Sequence, residues 1–364
     1  MTSNFIITNE IIGCYTTFLL DGFTIHIKTQ ESAKILVSTI KEYLRVVNKH
    51  YRMNNCGEPW DPDDNSNASI LLREQSKFEK EPDRREPLHP YVIQKMCELA
   101  KDADPLSFQA CVWDFTGVGR FGGFRSQEFA MDSKKHVKMY VLPDGTLVVR
   151  AFTTDNFIMY DGRNARLANA LQNRATAKAI GTLFVVQKNR RNGQIIKHQR
   201  LPVEYKDYCP VELAFSILTR AQLLGRTEPD DALCVYKDTD GEISYLTGDE
   251  VTKYYRSVVK LVIPNISDAE LKLISTHSIR VTACVLLHEA GKDGTYIKLR
   301  LRWLSDCFEI YCRNTETITA QHVEALDSVH QRMLAVAAQD TSQNDIVFVE
   351  GNINLRMDDL EDED

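Results

Sequence analysis

Leu36, Ile40, Tyr43, Val47 and Tyr51 recur at three- and four-residue intervals, with Lys34, Lys41, Glu42 and Lys49 largely off that line. The spacing predicts an amphipathic helix near the start of the chain. The same period predicts helices over Tyr91–Lys101, Ser107–Phe115, Val211–Leu224, Asp249–Val262 and Ser278–Ala290, the last closed by Gly291. A final helix is predicted over Thr319–Ala338, with Val323, Leu326, Val329, Met333 and Val336 on one side. Short β-patterned runs predict strands at His136–Leu142, Thr146–Phe152 and Thr182–Gln187. The last of these faces Gln194–His198 across an Asn192-Gly193 turn, a strong hairpin signal. In LRWLSDCFEIYCR, Leu304, Phe308 and Tyr311 fall at i, i+4 and i+7, which reads as one buried helical face. The fold class is therefore mainly α with a small antiparallel β-sheet (α+β).

The run NNCGEPWDPDDNSN has the Pro, Gly, Asn and Asp content of a loop or linker, and the charged stretch EKEPDRREPLHP ends near Pro90. A domain boundary at about residue 85 is expected, giving a helical domain over 1–85, a second domain over 86–340, and an acidic, disordered tail over 341–364. Internal repeats are not evident. Hydrophobic content of 43% and charged content of 26% are those of a soluble globular protein. No apolar run approaches the roughly 20 residues that cross a bilayer, and MTSNFIITNE lacks a secretory signal pattern. The nine cysteines include no C-x-x-C pair and no zinc-ligand spacing, so they read as reduced thiols of an intracellular protein without a structural metal.

A net charge of −7 argues at first against a polyanionic partner, but the tail from Gly351 to Asp364 carries −5 of it. Between Asp161 and Glu204 there is no acidic residue. That segment holds Arg163, Arg166, Arg174, Lys178, Lys188, Arg190, Arg191, Lys197 and Arg200. Such a block is ordinarily a solvated face; its length and single sign favour a phosphate-binding surface.

Gly117, Gly119 and Gly122 form a G-x-G-x-x-G, but a helical pattern precedes it and antiparallel strand patterns follow, which excludes a dinucleotide-binding βαβ unit. The chain has no Walker A motif and no H-E-x-x-H. Four other features carry candidate chemistry. Arg125 precedes Glu128 by three residues, Lys188 lies where a strand runs into a turn, and His277 and Arg280 sit one turn apart at a helix start, where backbone N–H groups also favour anions. Tyr311 follows about thirty residues later. Taken singly, each has a plain structural explanation: a surface ion pair, a loop lysine, a chance H-x-x-R, a core aromatic.

Their order is what resembles a known family. Arg, then Lys in a β-hairpin, then His-x-x-Arg, an aromatic and finally Tyr resembles the catalytic domain of tyrosine recombinases, the phage-integrase family, over roughly residues 88–340. The segment before it resembles that family's core-binding domain by position and helicity. The forms QKNRRNGQ and RWLSDCFEIYCR are most similar to recombinase domains of eukaryotic mobile elements, the Crypton-like group.

The resemblance implies a DNA recombinase or integrase that cleaves and rejoins strands through a 3′-phosphotyrosine, with Tyr311 as nucleophile. Arg125 and Arg280 would clamp the phosphate, His277 would assist, Lys188 would protonate the leaving 5′-oxygen, and Glu128 would orient Arg125. It implies no cofactor and no metal. The expected partner is double-stranded DNA, contacted by Arg174, Lys178, Arg190, Arg191, Lys197 and Arg200. The expected assembly is a homotetramer on paired sites, a dimer per site, with Thr319–Ala338 as the element exchanged between neighbours. A eukaryotic source would imply a nuclear protein. The family places His or Trp about nine residues before the nucleophile; Arg302 lies nine before Tyr311 and Trp303 eight, and Trp303 is favoured because its indole N–H can donate to a phosphate oxygen, with Arg302 in support and able to do the same as a cation. Alternatives are a domesticated, non-catalytic DNA-binding protein of the same fold and a type IB topoisomerase-like enzyme.

Overall fold

A computed structural model of the chain describes residues 9–20, 36–54, 57–62, 66–78, 84–142, 144–187, 192–312 and parts of 320–333. The chain divides into two compact units, Met1–Asp83 and Arg84–Asp364. Among the described residues no helix is long and apolar enough to cross a membrane. The tail over 341–364 lies outside the described residues.

Among its described residues the first unit has the helices α1 (Asn9–Leu20), α2 (Val37–Met53) and α3 (Asn67–Lys77). The buried stripe of α2 is Val37, Ile40, Leu44 and Asn48, while Leu36 and Tyr43 are exposed. The face expected from Leu36, Tyr43 and Val47 is therefore corrected by one position. Both sets are largely apolar, and packing against Ile12, Ala68 and Leu72 selects one. The run read as a linker also contributes to this core. Trp60 is buried, its backbone N–H donates to Asn48 Oδ1 at 3.1 Å, its carbonyl accepts from Asn48 Nδ2, and its indole donates to Ser69 Oγ at 3.0 Å.

The second unit is built around α5 (Phe108–Gly122), preceded by α4 (Pro90–Lys101) and followed by a single turn, α6 (Ser126–Phe129). Two small strands, β1 (Met139–Val141) and β2 (Leu147–Val149), pair antiparallel. A three-stranded antiparallel sheet follows: β3 (Phe157–Tyr160), β4 (Ala179–Phe184) and β5 (Gln194–Gln199), with β4 central. After α7 (Pro210–Leu223) come the paired strands β6 (Val235–Lys237) and β7 (Ile243–Tyr245). Further helices are α8 (Gly248–Val262), α9 (Asp268–Leu273), α10 (Ser278–Glu289), α11 (Gly294–Leu301) and the short α12 (Glu309–Cys312), and the described positions within 320–333 are helical as expected. The architecture is mainly α with small antiparallel sheets.

The expected Ser107–Phe115 helix continues through the glycine-rich segment to Gly122. Glycine lowers helix propensity by about 1 kcal/mol, but here close packing requires it. A Cβ on Gly117 would lie 2.3 Å from Leu213 Cδ1 of α7, and one on Gly119 would lie 3.3 Å from Ile279 Cγ1 of α10. The glycines thus let α7 and α10 approach α5, and no nucleotide fold surrounds them.

Two further expectations change. β4 ends at Phe184 rather than at 187, with Phe184 opposite Gln194, so the connection is longer than the two-residue Asn192-Gly193 turn. Asn192 still shapes it: its Oδ1 accepts from the Gln187 N–H at 2.8 Å, and Gly193 takes φ +79°. The stretch 301–313 is also not one helix. Arg302 adopts the left-handed conformation at φ +59°, a 3₁₀ turn spans Asp306–Phe308, and α12 follows. Phe308 packs inward as expected, whereas Leu304 is exposed.

Candidate active site

The C-terminus of α5 is the foundation of the site. Gly123 takes φ +57°, a conformation glycine adopts without Cβ strain, and its N–H closes the helix on Gly119 O at 2.7 Å. The last carbonyls of a helix have no intrahelical donor and sit at the negative end of its dipole. Here they receive two arginines. Arg280 Nη1 donates to Gly123 O at 2.5 Å, and Arg302 Nη2 donates to Gly122 O and Gly123 O at 3.3 and 3.2 Å. Arg280 comes from the first turn of α10 and Arg302 from the residue that ends α11.

A third arginine is held by the turn that follows. Arg125 is the N-cap of α6, and its backbone N–H donates to Glu128 Oε2 at 2.8 Å while its Nη1 donates to Glu128 Oε1 at 3.2 Å. The R-x-x-E spacing therefore works as a capping arrangement rather than as two residues on one helical face. Arg302 Nη2 donates to the same carboxylate at 3.1 Å, so buried Glu128 serves two guanidinium groups with a third nearby.

Aromatic and imidazole groups cover this cluster. Arg280 Cζ stacks 4.3 Å from the Trp303 ring centroid, and Trp303 lies 6.2 Å from the Tyr311 ring. His277, the N-cap of α10, meets Tyr311 from the other side, with 3.3 Å between His277 Nε2 and the Tyr311 hydroxyl. Behind Tyr311, Cys284 Sγ of α10 lies 3.6 Å from Cys312 Sγ and 3.9 Å from Phe308 O, which seats α12 on α10. A cleft of about 600 Å³ opens beside Arg125 and His277, walled by Arg150, Thr247 and Gly248.

Arg280 Nη2 and Trp303 Nε1 are among the donors of this cluster that are buried without a hydrogen-bond partner among the described residues. Buried polar groups are nearly always satisfied, so such a pair on stacked side chains marks a place for an acceptor, and the surrounding charge makes that acceptor an anion.

Burial and mutual repulsion set the protonation states. Arg280 is pushed down to about 9, first by burial and then by Arg125 and Arg302, with Glu128 opposing. Arg302 is pushed down to about 10 by burial, again opposed by Glu128. Both remain cationic at neutral pH. His277 is pushed down to about 4 by burial, then by Arg280, Arg85 and Arg125, so its ring is neutral at pH 7. Burial raises the Tyr311 phenol above its usual value, with Arg84 and Arg280 pulling the other way, so the phenol keeps its proton. A neutral imidazole therefore faces a protonated phenol across a hydrogen bond, the pairing a general base needs.

The structure thus brings Arg125, Glu128, His277, Arg280, Arg302, Trp303 and Tyr311 into one cluster. Lys188, Arg190 and Arg191 lie outside the described residues. Of the other basic positions, Lys178 is exposed, while Lys197 Nζ sits 3.6 Å over the Tyr160 ring and donates to Asn164 Oδ1. Arg174 and Arg200 are both ion-paired to Glu212 of α7. That carboxylate lies outside the acid-free block, so the neutralisation was not legible from the block itself. The Gly122 and Gly123 carbonyls were equally hidden, although a paired glycine ending an apolar helical run signals a C-terminus that backbone acceptors leave open.

No protein-family model matches the chain, and no curated protein does. Among solved structures the chain is similar to the integrase of transposon Tn1549 in complex with circular intermediate DNA. The identity is 11%, with 87% of this chain and 85% of that one covered and a TM-score of 0.42. It is similar to XerA recombinase at 13% identity, covering 89% and 84% with a TM-score of 0.36. It is also similar to XerH site-specific recombinase bound to palindromic difH substrate in a post-cleavage complex. There the identity is 14%, the coverage 91% and 74%, and the TM-score 0.45. The structures it resembles are integrases and site-specific recombinases.

Proposed function

We propose that the chain is a site-specific DNA recombinase or integrase acting through a 3′-phosphotyrosine. The observation that carries this reading is the approach of the Tyr311 hydroxyl to His277 Nε2 at 3.3 Å, beside Arg280 with an unspent buried donor. In the proposed step the Tyr311 oxygen attacks a backbone phosphorus in line, and the phenol proton passes to neutral His277 Nε2. The P–O5′ bond breaks as the P–O(Tyr) bond forms, and Lys188 delivers a proton to the leaving 5′-oxygen. Arginine holds its proton too tightly for that task, whereas lysine releases one when its pKa is lowered. Arg125, Arg280 and Trp303 donate to the non-bridging oxygens, where charge builds in the transition state. The ester energy is kept in the phosphotyrosine, so a 5′-hydroxyl reverses the step without metal or nucleotide.

Double-stranded DNA is the proposed substrate, because several guanidinium groups around one carboxylate leave the cluster cationic. The unit before residue 84 is proposed to grip the duplex as a core-binding domain. Assembly as a tetramer on two sites is supported by the exposed apolar residues Val323, Leu326, Val329 and Met333 in 320–333, which a neighbouring protomer would cover. The test is incubation with a nicked suicide duplex followed by denaturing electrophoresis. Wild type gives a detergent-resistant protein–DNA adduct, and Tyr311→Phe gives none while binding DNA nearly as well. An adduct that persists in Tyr311→Phe defeats the assignment.

A further inference from the structure

Arg302 is an improbable residue for its place. Its φ of +59° is one that glycine adopts freely and that costs any other residue strain. Its side chain is also fully buried, and a buried guanidinium is retained only where it is well partnered. A glycine would remove both costs, so the guanidinium must be doing something there.

Its partners show what. Arg302 Nη2 shares Gly123 O with Arg280 Nη1, and it shares the Glu128 carboxylate with both the backbone and the side chain of Arg125. Its Cζ lies 3.3 Å from the ring centroid of Phe184, the last residue of β4, beyond which the chain runs into the segment carrying Lys188. Among the described residues, the Gly123 carbonyl and the Glu128 carboxylate that hold Arg302 each also hold an arginine assigned to the phosphate.

We infer that Arg302 is a positioning residue that locks the two phosphate-clamping arginines, Arg125 and Arg280, into one register from beneath. This rests on the recombinase reading above and deepens it: Arg302 acts through Glu128 and the α5 carbonyls, and Trp303 stands beside the phosphate in its place. Small misplacements of such clamps lower rates by up to about a hundredfold.

The test compares wild type, Arg302→Gly and Arg302→Lys in the full chain, reading thermal midpoint, affinity for an intact duplex, and the single-turnover rate of adduct formation on a nicked suicide duplex. Arg302→Gly relieves the backbone strain but takes a buried partner from Glu128 and leaves a cavity over Phe184, so its midpoint is expected to fall by several degrees while its affinity, read well below that midpoint, is kept. Its adduct rate is expected to fall about ten- to a hundredfold. A merely structural role lowers the affinity together with the rate, and that outcome overturns the inference, as does a rate within twofold of wild type. Should Arg302→Gly fail to fold, Arg302→Lys decides. It keeps the charge but loses the planar fork, and a folded Arg302→Lys with wild-type rate overturns the inference while a slow one supports it. A wild type that forms no adduct sinks the functional reading itself, and this inference with it.

Discussion

Replacing Glu128 by glutamine keeps the shape of the side chain and removes the one carboxylate beneath the arginine cluster. Glu128 Oε2 accepts from the Arg125 N–H and from Arg302 Nη2, and Oε1 accepts from Arg125 Nη1. The amide oxygen serves best at the Oε2 position, where two donors converge. The amide nitrogen then faces Arg125 Nη1, donor against donor. Arg125 is 18% exposed and can turn toward solvent, but Arg302 is 0% exposed and cannot. Breaking a buried pair by removing one partner costs about 3–5 kcal/mol; the relief at Arg125 places this variant near the lower end, at about 3 kcal/mol. In a unit of this size 1 kcal/mol moves the thermal midpoint by about 2–4 °C, so a fall of about 6–12 °C is expected in differential scanning calorimetry at pH 7. A shift below about 2 °C would refute the reasoning, because Glu128 would then not be the counter-charge of a buried cluster.

Gly117→Ala should destabilise despite alanine's better helix propensity. Its Cβ would meet Leu213 Cδ1 at 2.3 Å, and Leu213 is itself buried. Overpacking of about 1–3 kcal/mol exceeds the gain of about 1 kcal/mol, and a urea midpoint at or above wild type would contradict the packing argument. His198, against which Arg300 rests, is pushed down to about 3 by burial, then by Arg300 and Arg302. Its folded pKa lies below its unfolded value near 6.5, so the unfolded chain binds more protons between those limits and stability falls as pH drops through that window. Between pH 6.5 and 5 the loss is on the order of 2 kcal/mol; urea titrations of His198→Gln should show a flatter acid limb, and an unchanged limb would count against it. Glu212→Gln should release Arg174 and Arg200 toward DNA, steepening the dependence of log affinity on log salt by about one to two units, whereas an unchanged slope would place both arginines away from the duplex.

Helical periodicity was legible wherever one apolar stripe dominated, as in α4, α7, α8 and α10. It misplaced the face of α2 because Leu36 and Val37, or Tyr43 and Leu44, are adjacent apolar residues, and only tertiary packing chooses between them. Composition marked the stretch around Trp60 as loop and could not report partners at Asn48 and Ser69. Glycine content cut α5 short at Phe115 because propensity is local, while the close approach of Leu213 and Ile279 is not. The break in 301–313 carried no signal, since the residue in the left-handed conformation is an arginine and not a glycine. In the site, Arg125, Glu128, His277, Arg280 and Tyr311 were readable as spaced side chains. The carbonyls of Gly122 and Gly123 that organise them were not, because backbone acceptors leave no signature in residue type.

The most direct measurement is the position of the covalent bond. Wild type is trapped on a nicked suicide duplex, the DNA is trimmed by nuclease, and tryptic peptides are mapped by mass spectrometry. The nucleotide mass should fall on the peptide containing Tyr311, attached through a 3′-phosphate. A nucleotide mass on exposed Tyr296, or none on any tyrosine, would contradict the assignment of Tyr311 as the nucleophile.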